Sequence, residues 1–447
     1  MSPRKIVLLL ITTLILIGGS RLLDAARQTP AGPASASVNL GLEGAAPALH
    51  MKTTDELIEF WKARVARDPR DFISLTYLGE SYIRQGRETG DVSAYARAEA
   101  ALRKSLEINS QYEPTLAYLG AALFVKHDFN GALELAERVY AADPNALQAL
   151  ATLGDAQLEL GRYAEAETAY RHLADKAPSP PVYSRLARLA WLQGHPDEAL
   201  ESMQKAATEA ATMGLTGESL AWYHIQLGEL YFNTGQYDQA DVHYTTALNS
   251  LDNYYLALAG LGKVRAAQGK YDAAIAFYER AIAIIPQPDF LAALGDLYAL
   301  NGQPDKAQRQ YDTVEFIGQL EAINQVIYNR QLALFYANHD WKLGESLDLV
   351  QKELVIRKDI YGYDTLAWAL YKNERYSKAA EAMEQAMQLG TRDALLYYHA
   401  GMIAKALGQT GEAKRLLSEA LAINPYFDPV QSRIAREALS LFLAAPD

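Results

Sequence analysis

The pattern of apolar and polar positions divides the chain into three stretches. First comes an unbroken apolar run of 12 residues, Ile6 to Ile17, preceded by Arg4 and Lys5 and followed by Gly18-Gly19-Ser20 and Arg21. That is short for a bilayer span and typical of a signal-peptide core, with Gly18 and Ser20 as a small-x-small pair for cleavage. Read on to Leu23, the same run would serve as an uncleaved anchor with its basic end inside. Residues 1–23 are therefore expected to be a signal peptide or membrane anchor, and the address extracytoplasmic: secreted or periplasmic, or held at a membrane. From 24 to 54 the pattern dissolves into Ala, Pro, Gly and Ser, the composition of a linker.

From about Asp55 the pattern becomes helical and then periodic. The stretch "LGELYFNTGQYDQADVHYTTAL", residues 227–248, shows the unit: two helix-length runs split by Asn233-Thr234-Gly235. Leu-Gly returns at Leu119-Gly120, Leu153-Gly154, Leu227-Gly228, Leu261-Gly262 and Leu294-Gly295, with spacings of 34 (Gly120 to Gly154), 34 (Gly228 to Gly262) and 33 (Gly262 to Gly295). Ala follows each Gly by 12 residues (Ala132, Ala166, Ala240, Ala274, Ala307), and Pro often follows 12 later (Pro144, Pro178, Pro286). Such a period marks an array in which each unit is too thin to bury its own apolar face and must stack on its neighbours.

This combination resembles the tetratricopeptide repeat family, whose unit is two antiparallel helices. The resemblance covers residues 72–427. It implies an all-α fold, a right-handed superhelical solenoid of about ten helix-turn-helix repeats within 55–427, closed by a capping helix over 428–447. Units are expected to begin near Phe72, Glu113, Leu147, Pro180, Ala221, Tyr255, Pro288, Val326, Ile360 and Ala394, with insertions at Gly86 to Tyr95 and Gly214 to Leu220. Between Glu315 and Asp340 there is no Pro break, so an overlong helix or a kink near Gly318 is expected. Each place in the unit has a physical reason. Gly at place 8 and Ala at places 20 and 27 let the helices approach, and large residues at 11, 17 and 24 fill the remaining space. Gly161, Gly235 and Gly269 suit a left-handed helix end, and pairs such as Tyr237-Asp238 and Tyr376-Ser377 are read as capping the second helix.

Composition then changes the picture at two points. Tyrosine is abundant, 28 against 11 Phe. Twelve fall on core places: Tyr82, Tyr231, Tyr298 and Tyr336 at 11; Tyr163, Tyr237, Tyr271 and Tyr376 at 17; Tyr170, Tyr244, Tyr278 and Tyr311 at 24. They are read as packing residues whose rings are buried while their hydroxyls reach an edge or a carbonyl. Net charge is -12 without a basic run, which argues against nucleic acid as a partner, and the absence of Cys removes disulfides, thiolate metal sites and cysteine nucleophiles.

Function is sought in positions that packing leaves over. By the resemblance, places 2, 5, 9, 12 and 13 line a concave groove for an extended peptide or partner helix. Here those places supply Glu80, Arg84, Phe124, Asp155, Arg188, Trp191, Trp222, Glu229, Phe232, Lys263, Asp296, Arg330, Trp368, Tyr371, Tyr398 and Lys405. The Lys and Asn clamp with which chaperone-binding members grip a terminal carboxylate is absent: Thr76, Glu80, Ala117 and Ala121 stand at its places. No HExxH, GxxxxGK[ST] or GxSxG motif occurs, and His224 with His243 is read as packing rather than a metal pair. Repeat-bearing glycosyltransferases append a large catalytic domain, for which no room is expected after the last unit. The resulting expectation is a non-enzymatic scaffold without cofactor, binding an unidentified protein in its groove and meeting a membrane only through its first residues. The alternative is a small-ligand or glycan binding protein with Trp191, Trp222 and Phe232 as an aromatic platform.

Overall fold

A computed structural model describes residues 53–91, 93–323 and 329–444. The apolar run at 6–17, nearly all of the linker and the expected start of the eighth unit at Val326 lie outside the described residues. Within them the chain is all α, with twenty-two helices and no strand.

Helix α1 (Thr54–Arg67) stands alone, its first turn closed by a capping box in which Thr53 accepts from the Glu56 N–H and the Glu56 carboxylate accepts from the Thr53 N–H. Ten hairpins follow. They are α2/α3 (Phe72–Thr89, Ser93–Ile108), α4/α5 (Glu113–Val125, Phe129–Ala142), α6/α7 (Leu147–Glu159, Tyr163–Lys176), α8/α9 (Pro180–Leu192, Pro196–Thr212) and α10/α11 (Glu218–Asn233, Tyr237–Ser250). The second five are α12/α13 (Tyr255–Ala267, Tyr271–Ile284), α14/α15 (Pro288–Leu300, Pro304–Ile323), α16/α17 (Asn329–Asn338, Leu343–Leu354), α18/α19 (Ile360–Lys372, Tyr376–Ala386) and α20/α21 (Ala394–Ala406, Thr410–Ile423). A last helix, α22 (Gln431–Ala444), lays Ala435 and Ala438 against Trp368, Tyr398, Leu417 and Ala420.

Eight of the first helices begin at the residue that the 34-residue ruler marks. The fifth begins at Glu218, ahead of Ala221, because the inserted loop ends at Gly217 with φ +58° and the chain turns helical at once. Without a Pro break α15 runs on for 20 residues, the overlong helix the sequence predicts. The capping expectation is corrected: α11 and α19 begin at Tyr237 and Tyr376 themselves, so Asp238 and Ser377 sit inside the first turn, and the N-caps Gln236 and Arg375 make no side-chain cap bond.

The hairpins close on one recurring contact. A Cβ on Gly154, Gly228 or Gly262 would stand 2.6, 2.5 or 2.8 Å from the ring of Tyr170, Tyr244 or Tyr278, so any side chain at place 8 would collide with the ring at place 24. Tyr170 and Tyr244 are wholly buried there, a burial that contributes about 1.5–3 kcal/mol each.

The chain forms two compact units. The first holds residues up to 157 together with 164–181, the second residues 158–163 together with 182–447.

Candidate interaction surfaces

The sixteen candidate groove residues are mostly occupied with the fold itself. Phe124, Asp155, Trp191, Trp222, Phe232, Trp368 and Tyr398 are buried, and the other nine are half-buried. The acids at place 9 are the clearest case. Asp155, Glu229 and Asp296 accept hydrogen bonds from the hydroxyls of Tyr170, Tyr244 and Tyr311 at 2.8, 2.7 and 2.7 Å, each pair 15 residues apart. A buried phenol needs an acceptor, and the acid one helix away supplies it. The sequence carried that signal, since the acid and the tyrosine co-occur in the same three units.

In the first unit Arg84 pairs, among the described residues, only with its helical neighbour Glu88 at 2.8 Å, Glu80 is half-buried on the same helix, and Phe124 meets Phe129 edge-on at 5.2 Å. In the second unit Lys263 reaches Glu229 at 2.7 Å and lies 4.9 Å over the Phe232 ring. Trp368 donates to Asn338 at 2.8 Å while stacking on Tyr371 and His399 at 4.7 and 4.1 Å. Tyr398 meets Phe427 at 5.5 Å, and the Lys405 ammonium lies 6.0 Å from the Phe442 ring. The aromatic platform is therefore in the core: Trp191, Trp222 and Phe232 are 6%, 3% and 3% exposed.

The second unit also closes on itself in a way the sequence reading does not anticipate. Three inter-helix turns are met by chain that arrives six hairpins later. The turn after α6 receives the start of α18: Gly161 (φ +77°) lies directly on the Lys358 carbonyl, and the Tyr163 hydroxyl accepts from the Ile360 N–H at 2.8 Å. The turn after α8 receives the start of α20: Gly194 lies on the Gly390 carbonyl, Thr391 donates to the Leu192 carbonyl, and the Trp191 indole donates to Tyr361 at 3.1 Å. The turn after α10 receives the approach to α22: a Cβ on Gly235 would stand 3.2 Å from the Ile423 carbonyl, Asn424 donates to the Phe232 carbonyl at 2.8 Å, and the Tyr237 hydroxyl accepts from the Tyr426 N–H at 3.1 Å. Tyr163 and Tyr237, half-buried at place 17, thus join successive turns as well as packing their own hairpins.

Around the first of these seats lies a buried charge cluster. Glu159 is paired with Arg357 and, at 3.5 Å, with Arg188. Arg330 meets Asp359 at 2.7 Å and Glu353 at 2.9 Å, and Arg357 reaches Asp359 at 2.7 Å. Two candidate groove residues, Arg188 and Arg330, are therefore spent in a neutral set of three acids and three bases. Burial works against the charge of Asp359, but Arg330 and Arg357 hold its carboxyl below the usual carboxylate range.

A second polar group lies by α22. Asp428 accepts from the N–H groups of Val430 and Gln431 at 2.8 and 2.7 Å, yet burial and the charge of Asp296 push its carboxyl up to about 6. His339 faces two acceptors, Asp296 at 2.8 Å and the Phe335 carbonyl at 2.7 Å, which favours the doubly protonated ring and raises its pKa against the effect of burial. His224 and His243 approach with their Nδ1 atoms 3.1 Å apart; burial lowers both, His243 to about 4, so they form a neutral hydrogen-bonded pair. Among the described residues no group of three His, Cys, Asp or Glu could hold a metal ion, and no helix is long and apolar enough to cross a membrane.

Comparison with known proteins agrees with this architecture. Family models described as tetratricopeptide repeat match residues 123–189, 225–289 and 394–427, and a further one matches 180–205 and 288–313. Among curated proteins, the human protein O-mannosyl-transferase TMTC1 is 27% identical over 226 residues, covering 48% of this chain and 24% of its own length. The chain thus spans about a quarter of that relative. Among solved structures, the APC/C hetero-tetramer Cut9-Hcn1 matches with a TM-score of 0.33 and 16% identity, over 89% of this chain and 98% of that one. The MamA protein matches with a TM-score of 0.29 and 21% identity, over 38% of this chain and 91% of its own.

Proposed function

We propose, from the premise that the chain belongs to the tetratricopeptide repeat family, that it is a non-enzymatic scaffold binding a segment of another protein. Its place of action is extracytoplasmic, set by Arg4-Lys5 and the apolar run behind them. The observation that carries the reading is the contrast in what the concave positions are doing. In the second unit they are occupied by Tyr–acid bonds, of which the first unit also has one between Asp155 and Tyr170, and beyond those by the charge cluster and contacts between turns. The first unit has three hairpins, half the spacing at which turns meet, so it cannot close on itself. There Glu80 and Arg84 on α2, with Ala117 and Val125 on α4, are only half-buried, and Arg84, paired with Glu88, stands beside the apolar side chains. A partner helix or extended segment with an apolar edge and a mixed-charge flank fits this strip.

The human relative is named for mannosyl transfer, and this chain corresponds to about a quarter of that protein. We propose no transfer activity for this chain. The reading with a small ligand or glycan loses its platform, since the three rings it needs are buried.

The test is photocrosslinking of the full-length chain in cells, with recovery of partners and fractionation of the same sample. Arg84→Glu, a change at a half-buried surface position, is expected to abolish recovery of a protein partner while leaving thermal unfolding nearly unchanged. Recovery that persists in this variant would remove the proposed surface, and a chain found in the cytoplasm with its first twenty residues intact would remove the address.

A further inference from the structure

The face formed by the first helices of the eighth, ninth and tenth hairpins is covered by a piece of the same chain. Between α21 and α22 the backbone passes from the turn after α10 onto this face. Phe427 packs against Tyr398 on α20 at 5.5 Å and joins the cluster around Trp368 on α18. The Gln431 amide donates at 2.8 Å to the side-chain oxygen of Asn338, the last residue of α16, and the Trp368 indole donates to the same oxygen. Trp368, Tyr371 and Tyr398, three of the candidate groove residues, belong to the cluster on which the segment lies. An aromatic ring and, four residues on, an amide therefore stand where the side chains of a bound foreign segment would stand.

A helix that did no more than close the array would need α20 and α21 alone. The bond to Asn338, two hairpins further back, goes beyond that need. The segment is also a body of its own. Arg436 donates to the Pro425 carbonyl at 2.6 Å and lies 5.0 Å over the Tyr426 ring, while Asp428 caps the start of α22 through the Val430 and Gln431 N–H groups. All of these bonds lie within residues 425–436, so they survive if the segment moves as one piece. Its firm attachment is at one end. Asn424 is buried, donates to the Phe232 carbonyl and accepts from the Tyr237 hydroxyl, which makes Asn424-Pro425 the pivot.

Beyond that pivot the hold is thin. Helix α20 buries Leu396, Tyr398, Met402 and Ile403, whereas α22 buries Gln431, Ser432, Ala435 and Ala438 and leaves Ile434, Leu439 and Phe442 only partly covered. The polar contacts are incomplete as well. The Gln431 side-chain oxygen is buried without a partner among the described residues, and the charge of Asp296 opposes that of Asp428. Lifting the segment returns both groups to water.

We propose that residues 425–444 are a removable cover over a second binding surface, built from Asn338, Trp368 and Tyr398, and that this surface takes a partner segment of the cover's own chemistry. Such a segment carries an aromatic residue at a helix start, an amide side chain four residues later, and small residues beyond them that let the helix lie close. The partner then replaces one set of contacts by an equivalent set. Tethered to α21, the cover competes at high effective concentration, and a partner meets only the fraction of molecules in which it has lifted.

The probe is a synthetic peptide of residues 424–442 added to the full-length chain. It is expected to bind the double variant Phe427→Ala/Gln431→Ala at least tenfold more tightly than the unmodified chain, because the weakened cover competes less. The same peptide carrying both alanines is expected to bind neither chain. Amide exchange in the double variant should quicken over residues 427–442 and stay slow in α20 and α21. Failure of the peptide to bind the variant, or equal affinity for the two chains, would overturn the proposal. So would exchange that quickens through α20 and α21 as well, since the segment would then be part of the fold and not a cover over it. Neither measurement bears on the strip around Arg84, which lies on α2.

Discussion

The two units obey the same hairpin rule but differ in the reach of their contacts. In the first, side chains join neighbouring hairpins, as where the Thr76, Ser105 and Thr115 hydroxyls meet at 2.6 to 3.0 Å. In the second, those neighbour contacts are supplemented by bonds between residues almost two hundred apart, such as Tyr163 with Ile360 and Asn424 with Phe232. A repeat array is ordinarily stabilised as a sum of units and nearest-neighbour interfaces. Contacts that skip six hairpins add a term no nearest-neighbour sum contains. The second unit should therefore unfold as one cooperative block, and the first in smaller steps.

The largest effect expected on that contrast comes from Glu159→Gln. It strips Arg357 and Arg188 of their shared partner inside a buried cluster, and breaking such a pair typically costs about 3–5 kcal/mol. Denaturant unfolding should show the loss in the second unit only, with amide exchange at residues 357–362 accelerated and the first unit unmoved. Equal loss in both would dissolve the distinction.

Next comes pH. Asp428 has its folded pKa raised to about 6, so the folded state binds the extra proton between its unfolded value and 6. That contribution is fully present below the unfolded pKa and is lost as pH rises through 6, a change of order 2–3 kcal/mol. The raised pKa of His339 acts in the same direction, its contribution being lost as pH rises through the folded value. Stability of the second unit should fall from about pH 4 to pH 7 where that of the first does not, and Asp428→Asn, which keeps the helix cap, should flatten the acidic part of the slope.

A smaller effect separates tyrosines that share one place in the repeat. Tyr163→Phe removes a hydrogen bond between turns and should cost about 1 kcal/mol, whereas Tyr376→Phe, at the same place 17 but without a hydrogen bond among the described residues, should cost a few tenths or less. A comparable loss at both would mean that the hydroxyl between turns contributes nothing particular.

The hairpins were legible in the sequence because what makes them is local. Glycine opposite a ring, small residues at the crossing and proline at the stop all act within one 34-residue window, so the helices begin at Phe72, Tyr255 or Ile360 as the ruler says. Closure is not local. It depends on a small rotation per hairpin accumulated over six of them, and nothing in the stretch around Gly161 announces that Lys358 will lie against it. The burial of several candidate groove residues is hidden from the sequence for a related reason: places that face the axis of an open array are buried once a later turn or a neighbouring tyrosine claims them. Asp296 illustrates this, serving Tyr311 and His339 where the family pattern offers it to a ligand. The sequence cue to that double service is the acid and tyrosine 15 residues apart.

The seats between turns also bear on how the molecule responds to force. A coil whose successive turns do not touch lengthens by bending, one hairpin after another, at low tension. Where Gly161, Gly194 and Gly235 each rest on chain from the next turn, the three contacts lie in parallel, and all must shear before the coil can extend. Pulled from its ends, this protein should yield first in the hairpins ahead of Gly161 and hold its length in those that the three contacts join.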